Sequence, residues 1–108
     1  MKLINYFQKS KKKLKPLIVA EISGNHCGKK SIFLQSIRIA AKSGADLIKI
    51  QTYEPQDITI NNKYSKKIKK IDLWKIYQKA QTPYSWHKEA FKLAKKLGVQ
   101  IFSTPFSI

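Results

Sequence analysis

Between Leu17 and Phe106 the spacing of hydrophobic positions changes several times, and each change marks an element. After Pro16 the continuous apolar run Leu17-Ile18-Val19-Ala20 leads into Glu21-Ile22-Ser23-Gly24-Asn25-His26. Such a run is the pattern of a strand buried on both faces, as in parallel sheets. Ser31 is of N-cap type and precedes a helix whose apolar positions are Phe33, Ile37, Ala40 and Ala41. Gly44 stops that helix as a C′ glycine. A second strand, Leu47-Ile48-Lys49-Ile50-Gln51-Thr52-Tyr53, follows.

Glu54 to Asn62 reads as a loop, and Tyr64 to Ile71 is rich in lysine. Leu73-Trp74 and Ile76-Tyr77 stand at helical spacing on a short amphipathic segment. Thr82 and Pro83 are expected as N-cap and N1 of a further helix. Its buried stripe is Trp86, Ala90, Phe91, Ala94 and Leu97, and Gly98 ends it before a third strand, Val99 to Phe102, running on through Ser103-Thr104-Pro105-Phe106. Strands alternating with helices in this way predict an α/β fold with a parallel sheet. Residues 1–15 form a basic N-terminal segment in which Met1 to Phe7 alternates as a short strand does, and residues 16–108 form the α/β portion. Three strands and two helices bury little core, so independent folding of such a unit is marginal.

Composition changes this picture little. The chain has 108 residues, room for one small domain, and 22 Lys+Arg against 6 Asp+Glu, a formal charge of +16. Such an excess favours phosphates, nucleic acid or anionic lipid. The lysines are scattered among isoleucines, however, without the stacking aromatics of a recognition motif, so a solvated surface is expected and no specific nucleic-acid partner. A single cysteine, Cys27, excludes an intramolecular disulfide. No apolar run approaches the length of a membrane span, and the N-terminus has no signal-peptide core, which makes a soluble cytoplasmic protein the default expectation.

The candidate chemistry gathers at the carboxyl ends of the three strands, where parallel α/β folds place their ligands. Period-two alternation puts Lys49, Gln51 and Tyr53 on one side of their strand. Lysine and glutamine inside an apolar strand are costly to bury unpartnered. Glu21, Lys49, Gln51 and Thr104 therefore converge at one edge. Glu21 and Lys49 also fit a structural ion pair between neighbouring strands, and Gln51 a role satisfying loop backbone. His26, flanked by Gly24 and Gly28, suits an exposed or supporting role better than metal ligation, since the chain has no paired-histidine metal spacing.

Four ordered segments resemble a known family, the sialic acid (N-acetylneuraminate) synthases and their relatives. Ile18 to His26 is similar to that family's first-strand motif and Gly44 to Tyr53 to its second-strand motif. Leu73 to His87 resembles the segment entering the next helix, and Ile101 to Phe106 the third-strand motif. Ser23-Gly24-Asn25-His26 and Thr82-Pro83-Tyr84-Ser85-Trp86-His87 look most like the pseudaminic acid synthase branch.

The resemblance implies the first three strands and two helices of a (β/α)8 TIM barrel that condenses phosphoenolpyruvate with an acetamido sugar in its open-chain form. It implies a divalent cation, Mn or Mg, whose ligands lie outside these motifs, and a homodimer for the full-length enzyme. By the same resemblance Glu21 is the catalytic carboxylate, and Lys49, Gln51, Thr104, Asn25 and His26 are substrate-binding. This sequence departs from the family between Ile60 and Leu73, which is shortened and lysine-rich. It departs also at Ser85, where a Glu often completes the capping box, and at Cys27 and Ser107, where Asn and Asp are more usual. With the later barrel strands absent, the chain alone is expected to lack synthase activity. The alternatives are a catalytically dead basic fragment that binds polyanions, and one half of a split synthase.

Overall fold

The computed structural model describes residues 15–62, 67 and 70–108. Three parallel strands, β1 (Val19–Ile22), β2 (Leu47–Thr52) and β3 (Gln100–Pro105), form one sheet in the order β1-β2-β3. The helices are α1 (Lys30–Lys42) between β1 and β2, then α2 (Pro55–Ile58), α3 (Leu73–Ala80) and α4 (Tyr84–Leu97) between β2 and β3. Sequential parallel strands joined by crossovers of one hand put both long helices on the same face. The core is there: Ile22, Phe33, Leu34, Ile37, Ile48, Ile50 and Ala90 are buried, with Trp86, Leu93, Val99 and Ile101 packed around them.

Among the described residues no helix covers most of the other face. The expectation of a first strand buried on both sides fails at Val19, which is 44% exposed on the opposite face. The run also starts its ladder late. The Asp46 carboxylate takes the backbone N–H of Ile18 (2.8 Å) and the Ile18 carbonyl accepts from Asp46 N–H (2.9 Å), so the strand begins at Val19.

Helix ends follow local chemistry where the sequence supplies it. Gly44, at φ +87°, closes α1: its N–H reaches the Ala41 carbonyl (3.2 Å) and the next N–H, of Ala45, reaches Ala40 (3.2 Å). Gly98, at φ +73°, closes α4 with the same pair of bonds to Lys95 and Ala94. These are the left-handed glycine closures the sequence predicts. Asp72 caps α3, accepting from Lys75 N–H at 3.2 Å.

Four further expectations are corrected. Helix α1 starts at Lys30, with no side-chain cap from Ser31, because a backbone turn (Cys27 N–H to Gly24, Lys29 N–H to His26) delivers the chain already in helical register. Within the predicted loop after β2, Pro55–Ile58 forms one helical turn, with Pro at its start and Glu54 N–H bound to Asp57 Oδ2 (2.7 Å). Thr82 does not cap α4: Pro83 occupies the capping position, and the threonine hydroxyl is engaged elsewhere. Phe91 and Leu97 are exposed, because the buried stripe of α4 is Ala90 and Ala94 flanked by Trp86 and Leu93. Alanines let α4 approach α1 closely, and the larger flanking side chains are left at the margin. The expected strand over Met1 to Phe7 lies outside the described residues. Among the described residues no helix is long and apolar enough to cross a membrane.

The turn after β1 is fixed by contact as well as by hydrogen bonds. A Cβ built on Gly24 would stand 2.6 Å from the Ala80 methyl and 3.2 Å from Ala80 Cα. Gly24→Ala is therefore expected to destabilise the chain by about 1–3 kcal/mol. Urea unfolding of Gly24→Ala with and without Ala80→Gly checks this, and the second substitution should recover part of the loss. Equal losses in both backgrounds would refute the contact.

Candidate functional site

The open face of the sheet carries one side of each strand. Register pairs Val19 with Leu47, Glu21 with Lys49 and with them Phe102, and Gln51 with Thr104. Aligned residues on parallel strands share a face, so Glu21, Lys49, Gln51 and Thr104 project together at the carboxyl ends. Alternation within the strands and the rule that their carboxyl ends gather predict this grouping, and the observed register puts the four residues on one face.

Glu21 is the hub. Lys49 Nζ lies 2.6 Å from Oε2, while Gln51 Nε2 and Ser23 Oγ each donate to Oε1 at 3.2 Å. The Lys49 hydrogen bond and charge, helped by Ser23 and Gln51, hold the Glu21 carboxyl below its ordinary value against a smaller opposing effect of burial. The group is ionised at neutral pH. Both side chains of the pair are about a third exposed (31% and 38%). An ion pair at such a site contributes about 0.2–1 kcal/mol, too little to explain by stability alone why a sheet face keeps four polar side chains. Ser23 escapes a reading based on acids, bases and amides. Its position two residues past Glu21, on the same side of the extended chain, is the signal that finds it.

Asn25 is exposed on the turn beyond β1, and Thr104 is exposed opposite Gln51. His26 is buried, not exposed. Its ring stands edge-on to Phe33 (centroids 5.6 Å) and to Trp86 (5.3 Å). Nδ1 accepts the Gly28 N–H at 3.0 Å, so in the neutral ring Nε2 carries the proton and donates to Thr82 Oγ1, also at 3.0 Å. His26 thus pins the Asn25 turn to the connection between α3 and α4.

Burial pushes the His26 pKa below its ordinary value of 6.5, and protonation also removes the Nδ1 acceptor. Because the unfolded chain takes up the proton first, stability is fully present above about pH 6.5 and falls as pH drops toward the folded value. The expected result is a melting temperature that declines between pH 7 and pH 5, with the His26 ring signal titrating below the range of a free histidine. A His26 signal titrating at or above that range would refute it.

Among the described residues no group of three or more His, Cys, Asp or Glu side chains is placed to hold a metal ion. Cys27 is exposed, in a left-handed conformation (φ +50°) that asparagine adopts more readily.

The backbone matches a solved structure. An N-acetylneuraminic acid (sialic acid) synthetase from Leptospira borgpetersenii superposes with a TM-score of 0.72 at 25% identity, covering 87% of this chain and 30% of that one. The sheet and its helices are thus part of a TIM-barrel fold, as the resemblance of the strand motifs had implied. A family model described as the NeuB family matches residues 36–108, and the chain belongs to that family. Pseudaminic acid synthase from Campylobacter jejuni is 43% identical over 99 residues, and that from Helicobacter pylori 45% identical over 98. The matches cover 86% and 85% of this chain but 29% of each relative, so the chain spans less than a third of their length.

Proposed function

We propose that residues 16–108 form the substrate-facing opening portion of a phosphoenolpyruvate-dependent nonulosonic acid synthase, most like pseudaminic acid synthase. The observation that carries this reading is the Glu21–Lys49–Gln51 cluster on the open face, within a segment 43–45% identical to pseudaminic acid synthases. The reaction joins C3 of phosphoenolpyruvate to the aldehyde carbon of an acetamido sugar, adds water at C2 and releases phosphate.

In this reading Lys49 turns toward the phosphate or carboxylate of phosphoenolpyruvate, whose charge competes with Glu21 for the ammonium. Glu21 stays held by Ser23 and Gln51, oriented to accept a proton from the water that attacks the carbon turning cationic. Gln51 and Thr104 supply amide and hydroxyl groups for the ligand's oxygens, with Asn25 at the rim. His26 serves from beneath, fixing the turn that presents Asn25. Among the described residues no group is placed to hold the cation expected for the family.

The test is a chimera in which residues 16–108 replace the matched segment of the Campylobacter jejuni relative. Folded chimera should release phosphate from phosphoenolpyruvate and that enzyme's sugar. Folded but inactive chimera would sink the proposal.

A further inference from the structure

Behind the open face a second polar assembly runs along the helix side of the sheet. Thr52 follows Gln51 and Ser103 precedes Thr104, so alternation turns both hydroxyls toward α4. The two hydroxyls bond each other across β2 and β3. Thr52 Oγ1 also lies 2.7 Å from His87 Nε2, and His87 Nδ1 lies 3.2 Å from the Pro83 carbonyl. A carbonyl only accepts, so Nδ1 carries the proton, and in the neutral ring Nε2 must accept from Thr52. Thr52, having donated, accepts from Ser103. The chain then has one direction: Ser103 to Thr52 to His87 to Pro83.

The two histidines of the protein therefore hold opposite tautomers. His26 is protonated on Nε2 and His87 on Nδ1, each dictated by the backbone group at Nδ1, an N–H donor in one and a carbonyl acceptor in the other. The consequence differs too. His26 ties a turn to a loop, whereas His87 ties the first turn of α4 to the strand ends that carry Gln51 and Thr104 on their opposite side.

We propose that His87 is a positioning residue: through Thr52 and Ser103, its Nε2 sets the orientation in which Gln51 and Thr104 face the ligand. The effect on ligand binding rests on the function proposed above, but the effect on Gln51 and Thr104 does not. Free rotation of Thr52 or Ser103 would let the last residues of β2 and β3 twist, and an error near 1 Å in a binding group is enough to cost about a hundredfold in a reaction.

The experiment uses the whole chain, isotope-labelled, with phosphoenolpyruvate as probe. His87→Gln keeps an amide oxygen near the Nε2 position, while His87→Asn keeps only a donor near Nδ1. Thr52→Val removes the hydroxyl at constant shape, and Thr52→Ser restores it. The expected result is that His87→Asn and Thr52→Val shift the Gln51 side-chain and Thr104 amide signals and weaken phosphoenolpyruvate binding by about tenfold, with His87→Gln and Thr52→Ser near wild type. Ring nitrogen shifts should report the Nδ1–H form for His87. A histidine that merely fills space or caps α4 would leave Gln51 and Thr104 unmoved in His87→Asn and Thr52→Val, and that outcome overturns the proposal. If the wild-type chain ignores phosphoenolpyruvate, the chimera decides the proposed function, and the Gln51 and Thr104 signals still decide the role of His87.

Discussion

Lys49→Met, placed in the chimera, is expected to lower phosphate release by about 10²–10³-fold while the protein stays folded. Methionine keeps most of the apolar stem of lysine and removes the ammonium, with its charge and its donors. The loss falls on the step in which negative charge must be held at the open face, where Lys49 is the cation beside Glu21. Stability should change by no more than about 1 kcal/mol, since the pair is partly exposed and Glu21 keeps Ser23 and Gln51.

The pH behaviour gives an independent reading of the same substitution. Lys49 is the main reason the Glu21 carboxyl sits below its ordinary value of 4.5. Whatever stability the ion pair adds is present above that value and is lost as pH falls through the lowered one. Without Lys49 the acid limb of the activity profile should move up in pH. Activity within fivefold of the parent and an unmoved acid limb would remove Lys49 from the site and take the functional reading with it.

Phe33→Ala should produce the largest loss of stability, about 3–5 kcal/mol. Phe33 has no exposed surface and its ring meets both His26 and Trp86, each at a centroid distance of 5.6 Å. Small domains have only about 5–15 kcal/mol in total, so this one truncation removes a large share. It also empties one wall of the His26 pocket, and the Asn25 turn should loosen before the sheet does. Urea unfolding measures the first effect and amide exchange at Gly28 the second. A cost under about 1 kcal/mol would show that the core is not centred on this ring.

What the sequence revealed was what local rules determine. Gly44 and Gly98 were legible as helix stops because a left-handed closure needs no distant partner. The grouping of Glu21, Lys49 and Gln51 was legible because alternation along a strand assigns a side to each residue, and parallel pairing then aligns the sides. What was hidden depends on partners far along the chain. Thr82 has the chemistry of a helix cap, but His26, 56 residues away, claims its hydroxyl. His26 looks like a loop histidine from its neighbours and is buried because Phe33 and Trp86 arrive from two different helices. Phe91 and Leu97 share the period of the buried stripe, yet period gives a face and not its width. The turn at Pro55–Ile58 was too short to show any period.

The contact between Gly24 and Ala80 has a consequence for descent. One methyl fills the space between two segments, and it is carried at position 80. Inheritance can move that methyl but not duplicate it. Alanine at position 24 costs less in a lineage where position 80 has already become glycine, so these two positions, 56 residues apart, are coupled in the order of their changes.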